Sequence, residues 1–541
     1  MNASRGNEGD AMSTNVVNLD ALIPREDFAV TDARPFTKTL DQITVVHLEG
    51  PFFGPDLRKP DFQRATQHWT PNKVVELVRA FIDKDLIPAV ILWRSGSYIF
   101  VVDGAHRLSA LLAWVFDDYG DRQRSLEYFG GHISDDQRKI AQKTRDLVNK
   151  TIGSYAEYRA ARSAPGGITD ALRQRLSNLG DANLICQWVP TNDAAAAEDS
   201  FFKINQAATA LDATEVRILK ARRSASAIAS RAVVNAGTGH KYWSGFASAE
   251  VRRSIEDHGA KIYAALYEPP ITGTPITTLD VPVAGRGYNA LPFVFDLVNQ
   301  INNVEIQEET AKRKKIPPPP EDTTGETTRD YLKAVYSSVQ RLTTDHPASL
   351  GLHPVVYFYS RTGTFQPISF FGATNFVRRL EESRRLEEFT KVRATFEDFI
   401  LAHREAAPLI GHVFGAGARS FPWMAEYYWR VFEQFAGGKT VDQVESWLST
   451  DPDFSIIATG RPSARRRTTT AASGGAFKTA TKTMAYFDQA LPGATRCSIC
   501  GARVHKNSMH FDHKVRRSEG GHGGPGNAQV THPFCDSTVK H

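Results

Sequence analysis

Cysteine is scarce in this chain: four residues in 541, too few for a disulfide framework at this length. No stretch of eighteen apolar residues occurs, so nothing in the sequence reads as a membrane span. The opening "MNASRGNEGDAMSTN" lacks the charged start, apolar block and cleavage site of a secretory signal. It reads as a flexible leader, residues 1–34, and the cytoplasm is the expected compartment. A Walker-type phosphate loop is missing as well, which excludes conventional P-loop nucleotide chemistry. What is present, 41% hydrophobic and 23% charged residues, is the profile of a globular protein. Its length asks for about two to four domains.

The few cysteines are unevenly placed. Cys186 sits in the apolar "NLICQW" and is expected as a small buried hydrophobe; the other three fall in the last forty-five residues, with six of the sixteen histidines. Charge is uneven too. Gly460 to His541 holds 13 Lys+Arg and 4 Asp+Glu, a surplus of +9 within a net +5, so the remainder carries −4. A basic tail on a mildly acidic body suits a polyanionic partner for the tail alone; a solvated charged face is the bland alternative.

Along the chain, "ITVVHLEG" reads as a strand and "TPNKVVELVRAFIDKD" as a helix, with Thr70 as N-cap and Pro71 in the first turn. "IPAVILW" and "YIFVVDG", split by "RSGS", predict a hairpin, and "AHRLSALLAWVF" returns to helical spacing. Helical patterns then dominate, among them "DDQRKIAQKTRDLVNK", "ATEVRILKARRSASAIASRAVV" and "TNFVRRLEESRRLEEFTKVRATFEDFILAHR". The proline-rich segment Lys312 to Thr328 reads as an exposed loop. "GRPSARRRTTTAASGGAFKTATKT" is too poor in large apolar residues to build a core and reads as a linker. The expected domains are 35–135, a helical body 136–458, a linker 459–482 and a closing module 483–541.

In that module Cys497 and Cys500 form a C-x2-C pair and His532 with Cys535 an H-x2-C pair, 31 residues apart. Three thiolates and one imidazole at this spacing suit tetrahedral structural Zn2+, and a module of this size has little core without it. Between the pairs lie "HFDHK", the glycine-rich "EGGHGGPGN" and Asn527. Asp512 can hold a divalent cation, Mg2+ or Mn2+, that polarises a phosphodiester. An imidazole titrates close to neutrality, so a histidine here, His513, can take a proton from the attacking water, with the Asn527 amide oxygen as a candidate to orient its ring. Asp536 can return a second ligand to the catalytic ion.

These residues resemble an HNH endonuclease module of the ββα-metal fold over about residues 483–541. The resemblance places His513 on the general base, Asp512 on the preceding metal ligand and Asn527 on the middle Asn. The zinc pairs match those of the zinc-bearing subgroup, with His532 in place of a common Cys. Asp536 stands where the family carries His or Asn. A zinc ribbon that only binds nucleic acid or protein is the alternative for the same four ligands.

At the other end, "VVDGAHRLSALL" reads as strand, Asp-Gly turn and helix start. Backbone N–H groups at that helix terminus, with His106 and Arg107 beside Gly104, make an anion site; an ordinary turn is the alternative. Upstream, "PDFQR" supplies Gln63 and Arg64. The order of these motifs resembles the ParB/sulfiredoxin-like domain of GmrSD-type restriction proteins, whose hallmark reads DGQQR or DGQHR; Ala105 replaces the first Gln. "FFKINQAATALDATE" resembles the segment that follows in such proteins, carrying the likeness over about residues 35–230. The sulfiredoxin cysteine is absent, which excludes redox repair. The resemblance implies that Arg64, Gly104, His106 and Arg107 bind a nucleotide or DNA phosphate, and that Asp103 anchors the turn or assists a metal. It also implies a domain that senses modified DNA and, in some members, hydrolyses a nucleoside triphosphate.

The sequence therefore predicts an α+β, multidomain protein: a ParB/sulfiredoxin-like start, a mainly helical middle and a zinc-stabilised HNH end. The expected function is metal-dependent DNA cleavage in restriction or phage defence, acting on phage or other foreign DNA. Self-association or companion defence proteins are the expected protein partners, with no membrane. A ParB-like DNA-binding protein with a non-catalytic zinc module is the alternative. A homing-type or recombination nuclease would keep the chemistry without the sensing.

Overall fold

The computed structural model describes residues 16–26, 40–60, 69–128, 135–164, 166–193, 221–238, 243–271, 273–285, 290–304, 319–415, 417–459 and 477–539, with isolated positions between them such as Gln63 and Thr66. The chain forms two compact units, Met1–Leu219 and Lys220–His541. The architecture is mixed, with an α/β first unit and a mainly helical second one. No described helix is long and apolar enough to cross a membrane.

The first unit is built on a mixed sheet in the order β1-β3-β5-β4-β6-β2. Its strands are β1 Arg25–Glu26, β2 Gln42–Thr44, β3 Leu57–Pro60, β4 Val90–Ser95, β5 Tyr98–Asp103 and β6 Asn183–Trp188. The expected hairpin is β4 with β5, antiparallel across a turn at Gly96. Strand β5 is buried on both faces. Ile99 and Val101 join the core that includes Val78 of the helix Pro71–Ile82 and Leu111 of the helix Ala105–Phe116. Phe100 and Val102 pack with Trp93 and Val189 on the other side. Burial on both faces is why "YIFVVD" is a continuous apolar run rather than an alternation.

Strands β1, β3 and β5 are parallel. The chain therefore leaves β3 after Pro60 and β5 after Asp103 at the same end of the sheet. Cys186 lies buried in β6, where burial pushes its thiol up to about 12.

The expected strand "ITVVHLEG" is corrected. Only Ile43 and Thr44 of it are extended, in β2; Val45–Glu49 is a helix. Thr44 caps it, His47 Nδ1 accepts from the Thr44 N–H at 3.1 Å, and Val45 and Leu48 bury at helical spacing. Capping chemistry overrides the β-branched run here.

Among its described residues, the second unit is helical apart from the hairpin of β7, His510–His513, with β8, Ala528–Thr531. Its core is aromatic: Phe371 stacks on Phe421 at 4.2 Å, and Phe376 on Phe396 with planes 10° apart. The long pattern beginning "TNFVRRLEE" divides into helices Pro367–Glu382 and Leu386–Ala402 at Arg384, whose φ is 57°. No glycine or proline marks that break. Of the proline-rich segment, 312–318 lie outside the described residues, and its last three residues open the helix Glu326–Leu342. The Asp322 carboxylate starts this helix by accepting from the Gly325 and Thr328 N–H groups at 2.8 and 2.7 Å. Residues 460–476 of the expected linker, and all of "FFKINQAATALDATE" but Ile204, lie outside the described residues.

The closing module packs against the helical body. Phe487, Leu491 and Phe534 belong to the same buried cluster as the body helices. At the seam, Arg393 and Glu397 have no exposed side-chain surface and pair at 2.8 Å. Arg393 also donates to the carbonyls of Leu350 and Gly351. Glu397 accepts from the Arg503 N–H at 3.1 Å and the Tyr357 hydroxyl at 3.2 Å. A buried pair is tolerable when its hydrogen-bonding capacity is filled in this way.

Glu397→Ala strands a buried guanidinium and should cost about 3–5 kcal/mol, read as a lower urea midpoint. The double change Arg393→Met with Glu397→Leu should cost less than the single one. A single variant as stable as the parent would remove this pair from the seam.

A second expectation concerns acid. The buried rings of His353 and His505 lie 5.5 Å apart. Burial holds both below the ordinary histidine range, His505 at about 4. An unfolded histidine gains its proton near pH ~6.5, so below that pH the unfolded chain binds more protons. The contribution is full above about 6.5 and is lost as pH falls toward 4. The urea midpoint should drop between about pH 7 and pH 5, and His505→Gln should shrink the drop; an equal drop in that variant would exclude His505 as its source.

Candidate active site and metal centre

Cys497, Cys500, His532 and Cys535 come together. Their ligand atoms all lie within 4.8 Å of one another, and no other such group of three or more occurs among the described residues. The first pair lies on a tight turn in which the Gly501 N–H bonds the Cys497 carbonyl at 2.9 Å. The second pair leads from β8 into the π-helical turn Cys535–Val539. His532 is set for coordination. Its Nε2–H donates to the Arg503 carbonyl at 3.0 Å, which leaves the Nδ1 lone pair facing Cys500 Sγ at 3.3 Å. Burial, then the nearby Arg393, holds the ring neutral by lowering its pKa. The fit is close: a Cβ on Gly351, which lies at φ +64°, would come within 2.7 Å of the His532 ring.

The donor chemistry suits a soft divalent ion. Left to themselves the sulfurs cannot all ionise: hydrogen bonding with Cys497 pushes Cys500 up to about 11 and Cys535 higher still. A dication is what allows three thiols to shed their protons together, so this set can hold a metal such as zinc.

The hairpin carries the predicted catalytic residues. Asp512 pairs with Gln529 and His513 with Ala528 across it. The Asp512 carboxylate accepts from Gln529 Nε2 at 2.8 Å and from the His513 N–H at 2.6 Å. Arg517 Nε lies 3.3 Å from His513 Nε2. Asn527 takes different partners from those expected. Its Oδ1 accepts from the Val515 N–H at 2.7 Å, and its Nδ2 donates to the carbonyls of Val515 and His522 at 3.0 and 2.8 Å. The amide thus ties together the loop that follows His513, rather than supplying an acceptor to that ring.

Asp536 is brought against His510, Oδ2 to Nδ1 at 3.2 Å. His510, missed as a site residue in the sequence, has its other nitrogen 2.9 Å from the Asp345 carbonyl. Its sequence signal was alternation: His510 and Asp512 fall on one face of β7.

In the first unit Asp103 anchors the turn. Its carboxylate accepts from Arg107 Nη2 at 2.6 Å, and the same nitrogen lies 3.3 Å from the Ala89 carbonyl. Gly104 has φ +96°, and a Cβ there would lie 2.6 Å from Val90 Cγ1. Glycine is needed on both grounds. His106 stacks on Trp69 with centroids 5.6 Å apart. Among the described residues, the buried Arg107 Nε and Gln63 Oε1 find no hydrogen-bond partner. Arg64 lies outside the described residues.

Sequence reading also missed the support beneath this end of the sheet. Buried Asp20 bonds Lys59 and Arg25 and accepts from the Thr66 N–H at 3.0 Å. Burial, against the pull of Asp20, pushes Lys59 down to about 8. Nothing in the spacing of these residues announced the contact.

Zinc loading should give one tightly held ion per chain by metal analysis, and Cys535→Ser should lose it. Full retention of zinc by that variant would refute the four-ligand assignment.

Residues 48–223 match the family model described as the GmrSD restriction endonuclease, N-terminal domain. No curated protein and no solved structure matches the chain.

Proposed function

We propose, for a chain whose residues 48–223 carry the N-terminal domain of the GmrSD restriction endonucleases, that it cuts DNA with its closing hairpin. The observation that carries this reading is the Asp512–His513 step on β7, bonded across the hairpin to Gln529, in the same closing module as four converging metal donors. A restriction endonuclease takes DNA as substrate. The surplus of basic residues after Gly460 attracts its phosphates without reading sequence.

The two kinds of metal divide the work. A zinc ion held by Cys497, Cys500, His532 and Cys535 stabilises the fold of the module. A hard ion, Mg2+ or Mn2+, held from the Asp512 and Asp536 side of the hairpin would polarise the scissile phosphate. His513 takes the proton of the attacking water. Asn527 supports this indirectly, by holding the loop from Val515 to His522 through its amide.

The N-terminal ParB-like domain is the sensor in this reading. The helix terminus after Gly104 and the His106–Trp69 stack offer a phosphate and a base or sugar the features each prefers. Arg64 and Arg107 supply the positive charge. The ligand is a nucleoside triphosphate or a modified stretch of DNA, and its binding licenses cleavage.

Supercoiled plasmid incubated with the full chain and Mg2+ or Mn2+, in parallel arms with and without each nucleoside triphosphate and base modification, should be nicked in the arm that holds the licensing ligand. His513→Ala should reduce the rate by about 10²–10⁴-fold while zinc content stays unchanged. Cleavage by that variant at the parental rate would end its assignment as base. Tight DNA binding without cleavage under every condition would favour a docking module instead.

A further inference from the structure

One histidine is not used by this reading. His510 lies two residues before Asp512 on β7, its side chain about a quarter exposed, and both of its ring nitrogens are accounted for. Nε2 faces the Asp345 carbonyl at 2.9 Å. A carbonyl only accepts, so this nitrogen carries a proton. In the neutral ring Nδ1 is then a bare lone pair, and it points at Asp536 Oδ2, a second lone pair, 3.2 Å away. Two acceptors at that separation repel unless a cation lies between or beside them. The cation is either a proton, giving an imidazolium–carboxylate pair, or a metal ion.

Three features favour the metal. The adjacent edge of an octahedral ion with bonds of about 2.1 Å spans about 3 Å, close to the separation of the two donors. A ring whose far nitrogen donates to a backbone carbonyl is the usual state of a metal-bound histidine, because the carbonyl fixes the tautomer. Both side chains are partly exposed, at 27% and 30%, so an ion can enter from solvent.

Resting on the nuclease reading, we propose that His510 and Asp536 together hold the exchangeable divalent ion of the hairpin, with His510 as a ligand oriented by the Asp345 carbonyl. That carbonyl belongs to the helical body. The same body segment accepts from the Ser537 hydroxyl through Pro347 at 2.7 Å and from the Phe534 N–H through Ser349 at 2.9 Å. The ion site is thus completed by a loop lying between the helices Glu326–Leu342 and Pro354–Tyr357, outside the module that carries Asp512 and His513.

The test uses the zinc-loaded full chain, with Mn2+ as the probe. Binding is followed by loss of the free-ion paramagnetic resonance signal, and zinc is measured on the same samples. The parent should take up Mn2+. His510→Ala and Asp536→Asn should each weaken that uptake roughly tenfold or more with zinc retained, while His513→Ala should bind Mn2+ like the parent. Unchanged Mn2+ affinity in zinc-retaining His510→Ala, or no uptake by the parent, overturns the proposal. Should His510→Ala lose its zinc, Asp536→Asn with His510→Gln decides instead: parental affinity in both overturns it, and weakened affinity in both supports it. The nuclease reading fails separately. Mn2+ uptake that depends on His510, in a chain that cuts no DNA, keeps the ion site and removes the cleavage; cutting with full Mn2+ affinity in His510→Ala does the reverse.

Discussion

A guanidinium and a carboxylate with no access to water, Arg393 and Glu397, determine how the chain's last sixty residues are held. Their side chains lie on one helix of the body, yet their remaining hydrogen bonds reach outward to the Leu350–Gly351 carbonyls and to the backbone N–H of Arg503. Arg503 in turn presents its carbonyl to His532. The ring of a metal ligand is therefore oriented by a backbone that is itself positioned from a helix more than a hundred residues upstream. Moving any member leaves a buried charge or a buried polar group short of a partner, and in a low-dielectric interior that is expensive.

Much of the local geometry was legible in the sequence because it depends on short spacings. The C-x2-C and H-x2-C pairs needed only a tight turn and a helical turn to converge, and both formed. The hairpin of β4 and β5, the Thr70 cap and the Gly104 turn were legible for the same reason: each is set within a few residues. Failures came where two local signals compete or where distant parts of the chain decide. The strand expected for "ITVVHLEG" was reversed by a Thr44–His47 cap competing with β-branched side chains. Asn527 was read against the nearest ring, whereas its partners are backbone groups of a loop whose path no spacing fixes. The pairing of His510 with Asp536 requires two segments 26 residues apart and a carbonyl 165 residues away.

The two ends of the chain are organised by different physics. The first unit relies on packing: β3 and β5 run parallel, and Gly104 admits Val90 Cγ1 to a distance that any side chain would block. Buried Asp20 and Lys59 stiffen the same region from beneath. The closing module gathers instead three thiols and an imidazole whose competition for protons a dication would relieve. One end is held by packing; the other offers a donor set for coordination.

The placement of the four sulfur and nitrogen donors has a consequence for variation. They clasp the base of a 31-residue excursion, and Asn527 cinches that excursion again near its middle. The glycines from Gly520 to Gly526 lie beyond both clasps, with open space around several of them. Their number can therefore change, lengthening or shortening this finger, while the donor cluster at its root keeps the same dimensions.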